Sequence, residues 1–296
     1  MSEDTNRSGE VAAQEKTRDD RSQPTAPGSR HRLETIVGRE LRTVVRTRTF
    51  FILGLAFATV VVGIAWVGGS VRAGYVPTLV DLLTPLELLV PVVAVAFGYR
   101  AIIGDAQRGE LDVLKTYPVS NREIVFGVYT GRAIGLVTTI VVPLVLAALM
   151  VALFKDEGRT LYASHSGVDS PLLFARFVVL TVLFALTVLA VAIAISAVVS
   201  GTRSALALSV VALVVLLVGL DLALVYGFSS GMIGDESLIY ALAISPLSAY
   251  RGLVFESAIV VASGTGPAAA SPIASLLSFT GWTTTSLGIA TWVLNR

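Results

Sequence analysis

Six runs of apolar residues dictate the architecture of this chain, because each approaches or exceeds the roughly 20 residues that a helix needs to cross a hydrocarbon core. They cover residues 50–68, 82–103, 124–154, 172–200, 205–227 and 276–294. The composition agrees, with 54% hydrophobic and 15% charged residues among 296, where a soluble domain carries about a quarter charged. The expected fold is an all-α integral membrane protein with six transmembrane helices, embedded in a lipid bilayer. The second run holds Pro85 and Pro91, whose freed carbonyls neighbouring helices must satisfy. The third is longer than one bilayer, so its first turns are expected outside the core or strongly tilted.

Charge sets the orientation. With the amino terminus inside, the cytoplasmic side receives eleven basic residues near span ends: Arg32, Arg39, Arg42, Arg46, Arg48, Arg100, Arg108, Lys115, Arg122, Arg203 and Arg296. The outer side receives four: Arg72, Lys155, Arg159 and Arg251. The excess predicts cytoplasmic amino and carboxyl termini in the cell membrane. Residues 1–32 are polar and poor in large apolar side chains, and they read as a disordered cytoplasmic tail with no cleavable leader; residues 33–296 form the membrane domain. In 33–49, Leu33, Ile36, Val37, Leu41, Val44 and Val45 recur at helical spacing, while Arg39, Glu40, Arg42, Arg46 and Arg48 fall largely elsewhere on the wheel. An amphipathic helix of this kind is expected to lie in the membrane interface before the first span.

Between spans two and three lies the one charge-dense interval flanked by apolar runs on both sides. It contains Asp105, Arg108, Glu110, Asp112, Lys115, Arg122 and Glu123. Its middle reads as a short helix with Leu111, Val113 and Leu114 on an apolar side, closed by Pro118. Ser120 and Glu123 have the spacing of a capping box that starts the next helix. A charged surface helix joined directly to two spans is placed to receive a push from a soluble partner.

Catalytic chemistry finds little support. The chain has no Cys and two His, His31 and His165, neither with a partner at metal-ligand spacing. It has no phosphate loop, and Ser196 and Ser209 lack an accompanying base within the spans. No enzymatic activity, no cofactor or metal held by this chain and no nucleic-acid partner are expected. Ionisable residues inside spans are costly; Glu87, Arg176 and Asp221 fall at similar depth on the outer side and form a candidate polar cluster, with an ordinary ion pair as the plainer reading. Gly127, Gly131 and Gly135 share one helical face and suit close helix packing within or between subunits. The segment 228–275 reads as a long outer loop with one or two short surface helices, because Pro246 and the polar residues around it interrupt its apolar stretch.

The order of these features resembles the cytoplasmic coupling region of type-2 ABC exporter permeases, in particular the branch linked to maturation of the copper sites of nitrous oxide reductase. The matching positions are Gly104, Asp105, Arg108, Gly109, Glu110 and Leu111, then Pro118, Ser120 and Arg122, and then Gly131 and Arg132. Glu110 stands where Thr is usual, and Asn121 separates Ser120 from Arg122. The stretch Ser245–Pro246–Leu247–Ser248–Ala249–Tyr250–Arg251 is similar to a further step of that family. The resemblance implies an exporting permease subunit that pairs with a second copy or a related permease and is driven by a separate cytoplasmic ATPase holding ATP and Mg. Gly104, Asp105, Arg108, Gly109, Glu110, Leu111, Leu114, Pro118, Ser120 and Arg122 would form the ATPase-coupling interface. A non-transporting membrane scaffold and an ion-coupled carrier are the alternatives. The carrier is disfavoured by the scarcity of midplane charges and the lack of a two-half repeat.

Overall fold

A computed structural model describes residues 29–109, 120–156, 169–263 and 270–296. Of the residues expected to form a coupling interface, Glu110, Leu111, Leu114 and Pro118 lie outside the described residues. All regular elements among the described residues are helical: α1 (Ser29–Arg46), α2 (Arg48–Val67), α3 (Ser70–Ala73), α4 (Tyr75–Gly98), α5 (Ile103–Gln107), α6 (Asn121–Phe154), α7 (Pro171–Val198) and α8 (Thr202–Val214). A π-helical turn, Val215–Gly219, joins α8 to α9 (Leu220–Ser229); α10 (Asp235–Leu242), α11 (Pro246–Val254) and α12 (Val261–Ser263) precede α13 (Pro272–Leu294). A second π turn, Phe255–Val260, separates α11 from α12.

Local chemistry explains the starts. Ser170, Ser245 and Ser271 each cap a helix whose first residue is proline, Pro171, Pro246 and Pro272, a position where the missing N–H costs nothing. Pro246 therefore begins a helix. Ser120 caps α6 as a full capping box: its side chain accepts from the Glu123 N–H at 3.2 Å, and the Glu123 carboxylate accepts from the Ser120 N–H at 2.8 Å.

Among the described residues, five segments are long and apolar enough to cross a membrane: Arg48–Val67, Tyr75–Gln107, Asn121–Phe154, Pro171–Val198 and Thr202–Ser229. The second begins at Tyr75, before the expected residue 82. Thr78 is fully buried there and donates to the Gly74 carbonyl at 2.7 Å, so a polar residue that reads as loop is satisfied within the helix. The final helix, α13, has 23 residues, about 34 Å at the helical rise, but its many Ser and Thr keep it less apolar than those five.

The centre of the bundle is the pair α4 and α7, the most buried of the five segments at 56% and 61%, whereas Arg48–Val67 and Thr202–Ser229 are 17% buried. Gly98 lets the two central helices touch, since a Cβ there would lie 2.5 Å from that of Ala192. Large apolar side chains such as Phe51, Leu55, Val67, Leu149, Val211 and Leu222 are exposed on the flanks, as expected of a surface solvated by lipid. One end of the bundle gathers α5, the starts of α6 and α8, and the ends of α7 and α13. Asn121 Nδ2 donates to the Leu294 carbonyl at 3.1 Å, and Thr202 Oγ1 donates to Gln107 Oε1 at 2.6 Å. The opposite end ties the other turns, through Asp156 N–H to the Arg72 carbonyl at 3.0 Å and Val76 N–H to Asp169 at 2.9 Å.

The apolar stripe of α1 is covered by protein. Ile36, Glu40 and Val44 seat against Gly127, Gly131 and Gly135 of α6, and a Cβ on any of these glycines would collide with its α1 partner. The glycine stripe thus packs within the chain, and α1 runs alongside the first turns of α6. Periodicity reveals such a stripe but not what covers it.

Candidate functional site: a charged network at one end of the bundle

Five charged side chains interlock where α1, α5 and α6 meet. Arg132 of α6 donates from Nε to Glu40 of α1 at 2.8 Å. Arg39, next along α1, donates to Glu40 at 3.0 Å and to Asp105 of α5 at 2.6 Å. Arg108 closes the chain on the other oxygen of Asp105 at 2.7 Å. Asp105, Glu40 and Arg132 are buried, at 3%, 2% and 6% exposure, so none has water to fall back on and each depends on its partners.

Arg132 has two further contacts. It donates from Nη1 to the Phe97 carbonyl at 3.0 Å, one of the carbonyls that the end of α4 leaves without a helical partner. Its guanidinium also lies 5.6 Å from the centroid of the Phe50 ring, which packs on Phe97. One side chain therefore joins α1, α2, α4 and α6. The helix α5 is held equally firmly from the other side. Ser196 Oγ of α7 accepts from the backbone N–H groups of Ile102 and Ile103 at 3.0 and 3.1 Å, and Gln107 takes the bond from Thr202. A displacement of α5 must therefore act on α1, α7 and α8 directly, and through α1 on α6.

Among the expected coupling residues, Gly104 and Asp105 lie within α5, and Arg108 and Gly109 follow it. Gly109 has φ 71°, the left-handed conformation that favours glycine and turns the chain out of α5. Ser120 caps α6, and Arg122 is exposed in its first turn. Sequence reasoning noted Arg132 as a motif residue and Arg39 as part of a basic face, but missed that Glu40 joins them. The available signal was an acidic residue on the apolar side of an otherwise basic amphipathic helix.

The second candidate cluster forms with a different cation. Glu87 is gripped by Arg251 of α11, at 2.8 Å from Nε and 2.5 Å from Nη2. Asp221 accepts from Ser248 at 2.8 Å and lies 4.0 Å from Arg251. Arg176 is not part of the group; it donates to the Ser257 carbonyl at 3.0 Å. The correction follows from the fold, because α11 is inside the bundle and not on its surface. Leu247, Ala249, Tyr250, Leu253 and Val254 are all buried. Tyr250 stacks on Phe184 at 4.9 Å and shares a hydrogen bond with Thr181 at 3.0 Å. Because α4 starts at Tyr75, Glu87 sits near the middle of its helix, where an unpaired charge costs most.

A bundle of long apolar helices with exposed apolar flanks, one end knotted together by charge, defines a multi-span membrane protein. The chain belongs to the ABC-2 family of transporter proteins, whose family model matches residues 34–296, and it is an ABC transporter permease. It is 31% identical over 226 residues to a probable ABC transporter permease protein NosY of Stutzerimonas stutzeri, covering 73% of this chain and 78% of that protein. It is also 31% identical over 254 residues to the protein of the same name from Pseudomonas aeruginosa, covering 82% and 86%.

Proposed function

We propose that this permease is the membrane subunit of an ABC exporter, driven by a separate cytoplasmic ATPase that docks on the hairpin 104–122. The observation that carries this reading is the position of Asp105: it is the one buried anion of α5, and it binds that helix to Arg39 and Arg108 at once. A push delivered to the hairpin is transmitted through hydrogen-bonded side chains and not through a flexible linker. ATP and Mg belong to the partner, and this chain contributes no catalytic group and holds no cofactor.

The α13 helix serves as the sixth span. It lies along α7, with Thr283 donating to Thr187 at 3.4 Å, and its hydroxyls at Thr280 and Thr284 donate to carbonyls one turn back at 2.9 and 2.7 Å, which makes them tolerable in lipid. The excess of basic residues at the charged end supports a cytoplasmic location for that end and for both termini in the cell membrane. A second copy completes the pathway, and the two segments least buried in the monomer, Arg48–Val67 and Thr202–Ser229, favour that pairing. The Glu87–Arg251–Asp221 group holds α11 between α4 and α9 and closes the outer side.

The test is co-purification with an ATPase encoded beside it, followed by ATP turnover in proteoliposomes. The native pair is expected to isolate as a complex whose turnover depends on the permease. Arg39→Gln and Asp105→Asn should leave the chain in the membrane and lower that dependence at least tenfold. A chain that binds no ATPase, or turnover indifferent to both substitutions, overturns the reading in favour of a scaffold.

A further inference from the structure

The outward face of α1 carries a groove that the charged network does not fill. Its volume is about 760 Å³, and it is walled by Arg39, Arg42 and Arg46 together with Thr35, Thr43, Thr47 and one carboxylate, Glu34, at its far end, so basic side chains outnumber acidic ones. These arginines follow one another at three and four residues and so share a face. At Gly38 nothing lies within 4 Å of where a Cβ would be, which leaves the groove open. Arg39 is committed to Glu40 and Asp105. Arg42 and Arg46 are exposed and have no ion-pair partner among the described residues. The Thr43 and Thr47 hydroxyls donate to carbonyls of their own helix at 3.0 and 2.6 Å, so the charged donors left for a ligand are the two guanidinium groups.

Depth decides what that ligand is. The first span begins within two residues of Arg46, and its Phe51 and Ile52 are 73% and 64% exposed, which places them against acyl chains. Arg46 then stands at the boundary of the hydrocarbon. Arg42 lies one helical turn further out, about 6 Å along α1. The headgroup layer of one leaflet is itself about 5–8 Å deep, so both guanidinium groups fall inside it.

We propose that Arg42 and Arg46 form a binding site for the phosphodiester of an acidic phospholipid in the leaflet at the coupling end. Guanidinium groups pair with phosphate oxygens through two parallel hydrogen bonds, which ammonium groups cannot reproduce. The site also has a consequence for transport. Arg39 lines the same groove while holding Asp105, so an anion at Arg42 and Arg46 offsets the surplus positive charge of this face and leaves Arg39 to the carboxylates. Acidic lipid thereby tightens the link between α1 and α5. Only this consequence, and the naming of the leaflet as cytoplasmic, rests on the function proposed above.

The experiment uses the full-length chain without an ATPase. It is placed in nanodiscs of phosphatidylcholine alone or with phosphatidylglycerol, and the lipid retained on gentle extraction is measured by native mass spectrometry. Native protein is expected to enrich phosphatidylglycerol. Arg42→Gln with Arg46→Gln should lose about 30-fold of that preference, from roughly fivefold per basic residue near an anionic surface. Arg42→Lys with Arg46→Lys should keep part of it, which separates charge from misfolding. Equal retention of both lipids by native protein, or an undiminished preference in the double glutamine variant, overturns the proposal. Displacement of the lipid by millimolar inorganic phosphate as readily as by phosphatidylglycerol assigns the groove to free phosphate and overturns the lipid assignment. An absent lipid preference beside intact ATPase coupling refutes this inference alone, and the converse refutes only the transport reading.

Discussion

At Arg132, one guanidinium satisfies a carboxylate on α1, a helix-end carbonyl on α4 and the face of Phe50. Removing one member of a buried ion pair leaves the other charged and dry, a loss of about 3–5 kcal/mol, whereas exchanging both for apolar residues of similar size is close to neutral. Glu40→Leu and Arg132→Met are therefore each expected to lower the melting temperature of the detergent-solubilised protein sharply. The double variant should recover most of that loss. Additive losses would mean that the two side chains stabilise the bundle separately. Coupling is a different matter, because the double variant also severs Glu40 from Arg39; it should remain folded and drive the ATPase poorly. Sequence alone marked Arg132 only as a position of the family's pattern and did not indicate its partners, which lie at sequence separations of 92 and 35 residues.

At the level of elements, the α1–α6 seam shows how one glycine pattern admits two opposite substitution outcomes. Gly131 faces the Glu40 side chain and the Val37 carbonyl, while Gly38 on α1 faces open space. Gly131→Val should part the two helices, destabilise by about 1–3 kcal/mol through overpacking and disturb the Glu40–Arg132 bond with it. Gly38→Ala should be neutral or stabilise by several tenths of a kcal/mol, since it only restricts the unfolded chain in a helical position. Thermal unfolding followed by intrinsic fluorescence distinguishes them, and equal effects would show that the seam is looser than described. The four-residue spacing of Gly127, Gly131 and Gly135 was legible as a packing face. Its occupant was not, because an amphipathic stripe is equally suited to lipid and to a neighbouring helix. The same limit applies to α11. Its Ser–Pro start reads as a break in an apolar stretch, yet the break is a cap, and the helix that follows is buried by α4, α7 and α13.

On the scale of the whole molecule, the bundle has one end where α1, α5, the start of α6 and the end of α13 converge. The sidedness of that end is open to direct measurement, because the chain contains no Cys and any introduced thiol is the only one. A cysteine at Arg296 or Arg122 should be modified by an impermeant maleimide only after the membrane is opened from the cytoplasmic side, and one at Arg72 should react from outside. Reaction of all three from one side would reverse or break the topology and remove the ATPase from the hairpin. The Glu87–Arg251 pair belongs to this scale too, since it fastens α11 to the centre of the bundle. Arg251→Gln is expected to impair transport more than Arg176→Gln, which loses only a bond to a single carbonyl.

Hydropathy and the distribution of arginine determined, without coordinates, that the chain is a bundle of membrane helices with a charged hairpin between the second and third. Those properties are sums over neighbouring residues, and solvent preference acts on each segment separately. Which charges meet was decided only by tertiary packing. The partners of Glu87 and Arg132, and the Arg39 that joins Arg108 on Asp105, come from distant segments, and a buried ion takes whatever counter-charge the folded helices bring within hydrogen-bonding reach.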